Sequence, residues 1–88
     1  MAAPHGFSPD EYARWINLRI GAEVLERREA LGLSAYVMGK AGGVSDQTYL
    51  NIEQGKYAGG SLTGTLARIC ARFGVTLSEL IAAAERRP

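Results

Sequence analysis

Two side-chain amides, Gln47 and Asn51, stand four residues apart in the stretch AGGVSDQTYLNIEQG. Four residues is about one helical turn, so on a helix both amides project from one face. An amide donates and accepts side by side, which matches the N6 and N7 edge of adenine. Such a contact is worth ~1–3 kcal/mol of discrimination. The same pair also makes an ordinary solvated helix surface, and spacing alone leaves both readings open. Ser45 is first a helix cap, and its hydroxyl can also reach a phosphate or a base edge. Asp46 complements the positive end of the helix dipole. In a DNA groove its carboxylate would accept only from cytosine N4 and would repel phosphate. Asp46 as a helix stabiliser is an equally good reading.

Other chemistries find little support. Cys70 is the single cysteine, which excludes a disulfide framework and a cysteine metal site. It falls on the apolar side of a helical segment and reads as a small core residue. His5 is the single histidine and lies in MAAPHG, read as a frayed tail. No paired carboxylates share a sheltered face, no nucleophile stands beside a base, and no glycine-rich loop follows a strand. The expectation is no enzyme, no cofactor, no metal and no small-molecule ligand.

The elements that position the amides follow from punctuation. Apolar residues recur at three and four, with no sustained alternation, so the chain reads as all-α. SPDE at 8–11 opens a helix, with Ser8 as cap, Pro9 at the first position and Glu11 completing a capping box. That helix runs to about Leu31 and ends at Gly32. Ser34 caps a second helix reaching about Ala41, stopped by Gly42 and Gly43. Ser45 caps a third, closed by Gly55, and KYAGGS makes a loop. A fourth runs from about Leu62 to Phe73. TLSE at 76–79 is a second capping box, opening a last helix through LIAAAERR.

With 88 residues, 47% of them hydrophobic, the chain is one globular domain, read as residues 8–88 behind a flexible tail at 1–7. No apolar run approaches the ~20 residues of a membrane span and no signal pattern opens the chain, which favours the cytoplasm. Net charge is +1, low for a domain that lives on nucleic acid.

The second and third helices, about 34–54, are spaced for a particular purpose. A small residue, Gly39, stands where the two would cross. Gly43 supplies a turn residue that accepts positive φ. Val44, Tyr49 and Ile52 fall on the inner side of helix three, leaving Asp46, Gln47 and Asn51 outside. So short a connection forces a steep crossing and leaves helix three projecting.

Residues from about Ile20 to Leu80 resemble the Cro and repressor type of helix-turn-helix domain, the xenobiotic-response-element family of regulators. The matching pieces are RREALGLS (27–34), GVSDQTYLNIEQGK (43–56), TLARICARFGV (65–75) and TLSEL (76–80). The resemblance implies a compact, lambda-repressor-like five-helix bundle that binds double-stranded DNA, with helix three in the major groove. It also implies base reading by Gln47 and Asn51, joined by Asp46 and Ser45. Thr48, Lys40, Gln54, Lys56 and Tyr57 then flank the helix pair where phosphates pass, positioning the protein without reading sequence. Helix N-termini at Ser34 and Ser61 offer further N–H groups to phosphate. Arg28 and Glu53 align with family positions that form an inward-facing ion pair.

The chain also departs from the family pattern. Ala35 replaces the usual glutamine at the start of helix two, and Gly42 replaces a buried apolar residue, which predicts a loosened corner. Asp46 stands where a basic residue is common. From Ser34 to Tyr57 the charges are Lys40 and Lys56 against Asp46 and Glu53, so the segment is neutral. With Val37 and Leu50 at positions that are usually polar, and Tyr36 and Tyr57 nearby, the alternative is a protein-interaction module on the same fold.

Helix one carries two apolar stripes. Ile16, Ile20, Val24 and Leu31, with Arg28 beside them, are expected to face the bundle. Trp15, Leu18, Ala22 and Leu25 form the other, nearly opposite at ~100° per residue. Either the C-terminal segment from Leu80 to Ala84 folds back to cover Trp15, or a second copy covers this stripe. The expectation is a homodimer on a near-palindromic operator, with the extra turns from Ser8 to Arg19 serving as the dimerisation extension.

Overall fold

The structure is a computed structural model that describes residues 6–56 and 62–88; His5, Tyr57 and Ser61 lie outside the described residues. Five helices follow in order: α1 (Pro9–Ala30), α2 (Ala35–Gly42), α3 (Asp46–Glu53), α4 (Leu62–Phe73) and α5 (Leu77–Arg86). Among the described residues there is no strand.

Each predicted cap is made by side-chain acceptance of an orphan N–H. Ser8 accepts from the Glu11 N–H and the Glu11 carboxylate accepts from the Ser8 N–H, a complete capping box; Thr76 and Glu79 repeat it. The Ser8 backbone hydrogen bond holds the Glu11 carboxyl below its usual range, and the Thr76 backbone does the same for Glu79. Ser34 accepts from the Val37 N–H and Ser45 from the Thr48 N–H. α2 ends on Gly43 in the left-handed region at φ 73°, where a side chain would cost ~1–2 kcal/mol.

The largest fully buried side chains are Tyr49, Met38, Ile69, Leu80, Val24 and Cys70, drawn from all five helices. α2 packs on both α3 and α4, while α1 packs on α3 and α5. α3 is therefore held from two sides. The crossing of α2 with the next segment falls at Gly39, where an added Cβ would lie 3.1 Å from the Val44 carbonyl oxygen.

Two local expectations are corrected. The Gly42 corner is not loose: Gly42 is the last residue of α2, buried, and a Cβ there would come within 3.3 Å of Thr65 and Ile69. The missing side chain lets α4 approach α2, so its volume is filled from the other helix. Leu31 does not face the bundle. α1 stops at Ala30, Leu31 turns away as the cap residue and is 53% exposed.

The junction of α1 with α3 depends on Gly21, in the middle of a 22-residue helix. A Cβ on it would overlap the Glu53 carbonyl oxygen and come within 2.5 Å of that of Ile52. The backbones meet directly, and only glycine fits between them.

Candidate nucleic-acid interface

α3 turns Tyr49 and Ile52 into the core and leaves Ser45, Asp46 and Gln47 exposed, with Thr48 and Asn51 half-buried. The four residues read as base-facing thus lie together on the outer side of one short helix. Gln47 and Asn51 are joined: the Gln47 Nε2 donates to Asn51 Oδ1 at 3.0 Å. That bond leaves the Gln47 carbonyl oxygen and the Asn51 amide N–H groups for a ligand, one acceptor beside one donor. At the N-terminus the Gln47 N–H donates to Asp46 Oδ1 at 3.0 Å, and the Ser45 hydroxyl donates to Thr48 Oγ1 at 3.0 Å. Ser45 and Asp46 are thereby occupied with the helix start, and Thr48 is tied to Ser45.

The expected phosphate contacts are more scattered. Lys40 is exposed in the last turn of α2, its ammonium 5.1 Å from the centre of the Tyr36 ring. Gln54 is the C-cap of α3 and is exposed. Lys56 is exposed too, and its N–H donates to the Asn51 carbonyl at 2.8 Å, so the chain beyond the helix stays against it. On the outer side of α2, Tyr36 is 60% exposed and Val37 39%. Leu50 is half-buried.

Behind the exposed face, Arg28 grips Glu53 with two bonds, Nε to Oε2 at 2.6 Å and Nη2 to Oε1 at 3.2 Å, while Nη1 donates to the Leu33 carbonyl at 3.0 Å. This fork ties α1, the α1–α2 turn and α3 to one another. The Glu53 side chain is only 5% exposed, and the bond to it holds Arg28 more firmly protonated. The Tyr49 hydroxyl is buried beside the pair without a hydrogen-bond partner. Burial, and then the neighbouring Glu53 carboxylate, push its phenol well above the usual range.

Two positioning residues escape the sequence reading. Gly21 offered a signal, since an interior helix glycine costs ~0.5–1 kcal/mol relative to alanine and calls for a packing reason. Arg68 of α4 donates to the Gly42 carbonyl at 3.4 Å and lies beside Gly43, bracing the turn that leads into α3. Nothing local marks it, because the contact spans two helices.

On α1 the second stripe stays partly open. Trp15, Ala22 and Leu25 are half-buried and Leu18 is 59% exposed. Phe7 and Tyr12 pack their rings near Trp15, at centroid distances of 5.6 and 5.9 Å, and the Arg19 guanidinium lies 4.4 Å from the Trp15 ring centre. α5 runs along the neighbouring side of α1. Its end is fastened by Arg87 to Glu23 and Glu26, both at 2.8 Å, and by Arg19 donating to the Arg87 carbonyl. The C-terminal residues border the stripe without covering Leu18.

Among the described residues no group of three or more His, Cys, Asp or Glu side chains is placed to hold a metal ion. No described helix is long and apolar enough to cross a membrane.

A family model described as helix-turn-helix matches residues 24–80. Two solved structures of the clp gene regulator ClgR from Corynebacterium glutamicum are similar to this chain. One has a TM-score of 0.71 at 20% identity, covering 80% of this chain and 72% of that one. The other has a TM-score of 0.69 at 21% identity, covering 80% and 87%. At such identity the likeness is one of fold. No curated protein matches.

Proposed function

This chain belongs to the helix-turn-helix family, and from that premise we propose that it is a sequence-specific DNA-binding transcriptional regulator of repressor type, acting in the cytoplasm at the nucleoid. α3 enters the major groove. The observation that carries this reading is the joined amide pair on the outer side of α3. An acceptor and a donor held side by side match the adenine edge, and their mutual bond removes rotamer freedom before DNA arrives. Asp46 and Ser45 would stand at the same groove edge, Asp46 accepting from cytosine N4 and repelled by the acceptor edges of guanine and thymine. Thr48, Lys40, Gln54, Lys56 and Tyr57 follow the phosphates. The likeness to a gene regulator fits this reading.

With so few cations near α3, one copy gains most from binding two half-sites at once. A homodimer through Trp15, Leu18, Ala22 and Leu25 would place the half-sites about one DNA turn apart, ~34 Å, on a near-palindromic operator. The deciding experiment selects bound DNA from a random pool at low salt. The expected result is a near-palindromic motif that Gln47→Ala and Asn51→Ala alter. A motif unchanged by both substitutions would sink the base-reading assignment, and no motif at all would sink the DNA reading.

The exposure of Tyr36 and Val37 on α2 supports a second reading, a protein-interaction module. Salt separates the two. DNA binding weakens steeply as salt rises, because each phosphate contact releases counterions. Binding through Tyr36 and Val37 would change little.

A further inference from the structure

The charge of the molecule is unevenly spread over its helices. α3 holds acids only, Asp46 and Glu53, and Asp46 is exposed in its first turn. α1 and α5 mix acids with bases. α2 and α4 hold Lys40, Arg68 and Arg72 and no acid, and they pack on each other. One side of the bundle is therefore cationic, although the net charge of the chain is only +1.

Arg68 brings that charge to the start of α3. Its guanidinium occupies a corner between Gly43 and Gly64, with Nη1 3.8 Å from where a Cβ would stand on either glycine. All three residues are exposed, so the corner opens to solvent. Gly43 stands two residues before Ser45, the N-cap of α3. At 3.8 Å between successive Cα atoms, the guanidinium lies on the order of 10 Å from the start of that helix. The major groove is ~12 Å wide, so a cation this near a helix lying in it reaches the phosphates of one wall. Lys56 stands past the other end of α3, and the two cations bracket the helix.

The guanidinium is also uncommitted to an acid. Among the described residues, carboxylates hold Arg27, Arg28 and Arg87. Arg68 has instead the Gly42 carbonyl at 3.4 Å, beyond the usual hydrogen-bond range. Five N–H donors in a planar fork leave a pair for a phosphate. A cation beside the last carbonyls of α2 also steadies that helix, so bracing and DNA binding have to be separated by measurement.

We propose that Arg68 contacts a DNA phosphate beside the entering end of α3, supplying from α4 the positive charge that the start of α3 lacks. This rests on the DNA-binding reading above and adds a residue to it.

Fluorescence anisotropy of the full chain on the selected operator and on a scrambled duplex tests it, with thermal melts to show that each variant folds. Arg68→Gln should lower the slope of log affinity against log salt by about one for each copy bound. Between about 50 and 200 mM salt the wild type should then lose about 3.5-fold more affinity per copy than the variant. The change should be equal on both duplexes, because a phosphate carries no sequence. Arg68→Lys should keep the wild-type slope, and so should Arg72→Gln, one turn further along α4. Gly64→Glu places a carboxylate one turn before Arg68, where it pairs with the guanidinium. That variant should bind both duplexes more weakly while melting no lower than wild type. An unchanged slope in Arg68→Gln, or an equal fall in Arg72→Gln, overturns the contact and leaves Arg68 as a brace of the turn. A folded wild type that binds neither duplex at low salt overturns the DNA reading, and the contact with it.

Discussion

The two sides of α3 are built on opposite principles. On the inner side Tyr49 and Ile52 are buried, Glu53 is held by a two-pronged guanidinium, and the backbone touches that of α1 at Gly21. On the outer side Asp46 and Gln47 stand exposed, and the Gln47–Asn51 bond lies at the surface. Position is determined inside, where one atom too many cannot be accommodated. Chemical content is determined outside, where side chains can change at little cost to the fold. Stability and recognition should therefore separate cleanly by side, and substitutions can test that separation.

The largest effect is expected at Gly21. An alanine Cβ would overlap two backbone carbonyl oxygens, which cannot rotate away, so α1 and α3 must part. Gly21→Ala should cost more than the ~1–3 kcal/mol usual for overpacking, and Gly21→Val should leave no cooperative melt. A Gly21→Ala protein that melts like wild type would show that the two helices are not locked at this point.

Glu53→Ala comes next. It strands the Arg28 guanidinium, whose side chain is only 18% exposed, among buried groups. Removing one partner of such a pair costs ~3–5 kcal/mol, and the remaining bond to the Leu33 carbonyl favours the lower end, about 3 kcal/mol. For a domain of this size that lowers the melting temperature by on the order of 15 °C. A shift no larger than that of Gln47→Ala would remove the ion pair from the stabilising set.

The contrast also explains what could be read in advance. Caps at Ser8, Ser34, Ser45 and Thr76 were legible because a cap involves residues three apart and nothing else. The inward placement of Tyr49 and Ile52 followed from helical spacing, and so did the adjacency of Gln47 and Asn51. Gly21 was not legible as a contact, since its partner backbone lies some thirty residues along the chain. Gly42 was misread for the same reason: a small residue before a turn looks like lost volume until α4 is seen to fill it. Leu31 kept the right spacing for the buried stripe but fell one residue past the end of the helix, where spacing no longer determines direction.

A third test turns to the outer side. Gln47→Ala and Asn51→Ala should each cost ~1–3 kcal/mol in binding to the selected operator, and far less on unrelated DNA. Both should melt within ~0.5 kcal/mol of wild type, as surface substitutions do. Because the amides are joined, the double substitution should cost less than the sum of the singles. Fluorescence anisotropy on matched and scrambled duplexes measures all three. A loss of equal size on both duplexes would mean that the amides position the protein and do not read bases.

The smallest effect is expected at Tyr49, where the inner side departs from its own rule. Its ring is fully buried and fills the space between α3 and its neighbours, yet its hydroxyl lies beside Arg28 and Glu53 without a hydrogen bond. A buried polar group left unsatisfied costs ~1–3 kcal/mol, whereas a satisfied one contributes ~0.5–1.5 kcal/mol. Tyr49→Phe keeps the ring and deletes only the hydroxyl. With the oxygen unpaired, the variant should melt at or above the wild-type temperature, with operator affinity unchanged because the outer side of α3 is untouched. A loss of about 1 kcal/mol would instead show that the hydroxyl donates to the Glu53 carboxylate in solution. The ion pair would then be a three-membered network, and Tyr49→Phe combined with Glu53→Ala would cost less than the two separately.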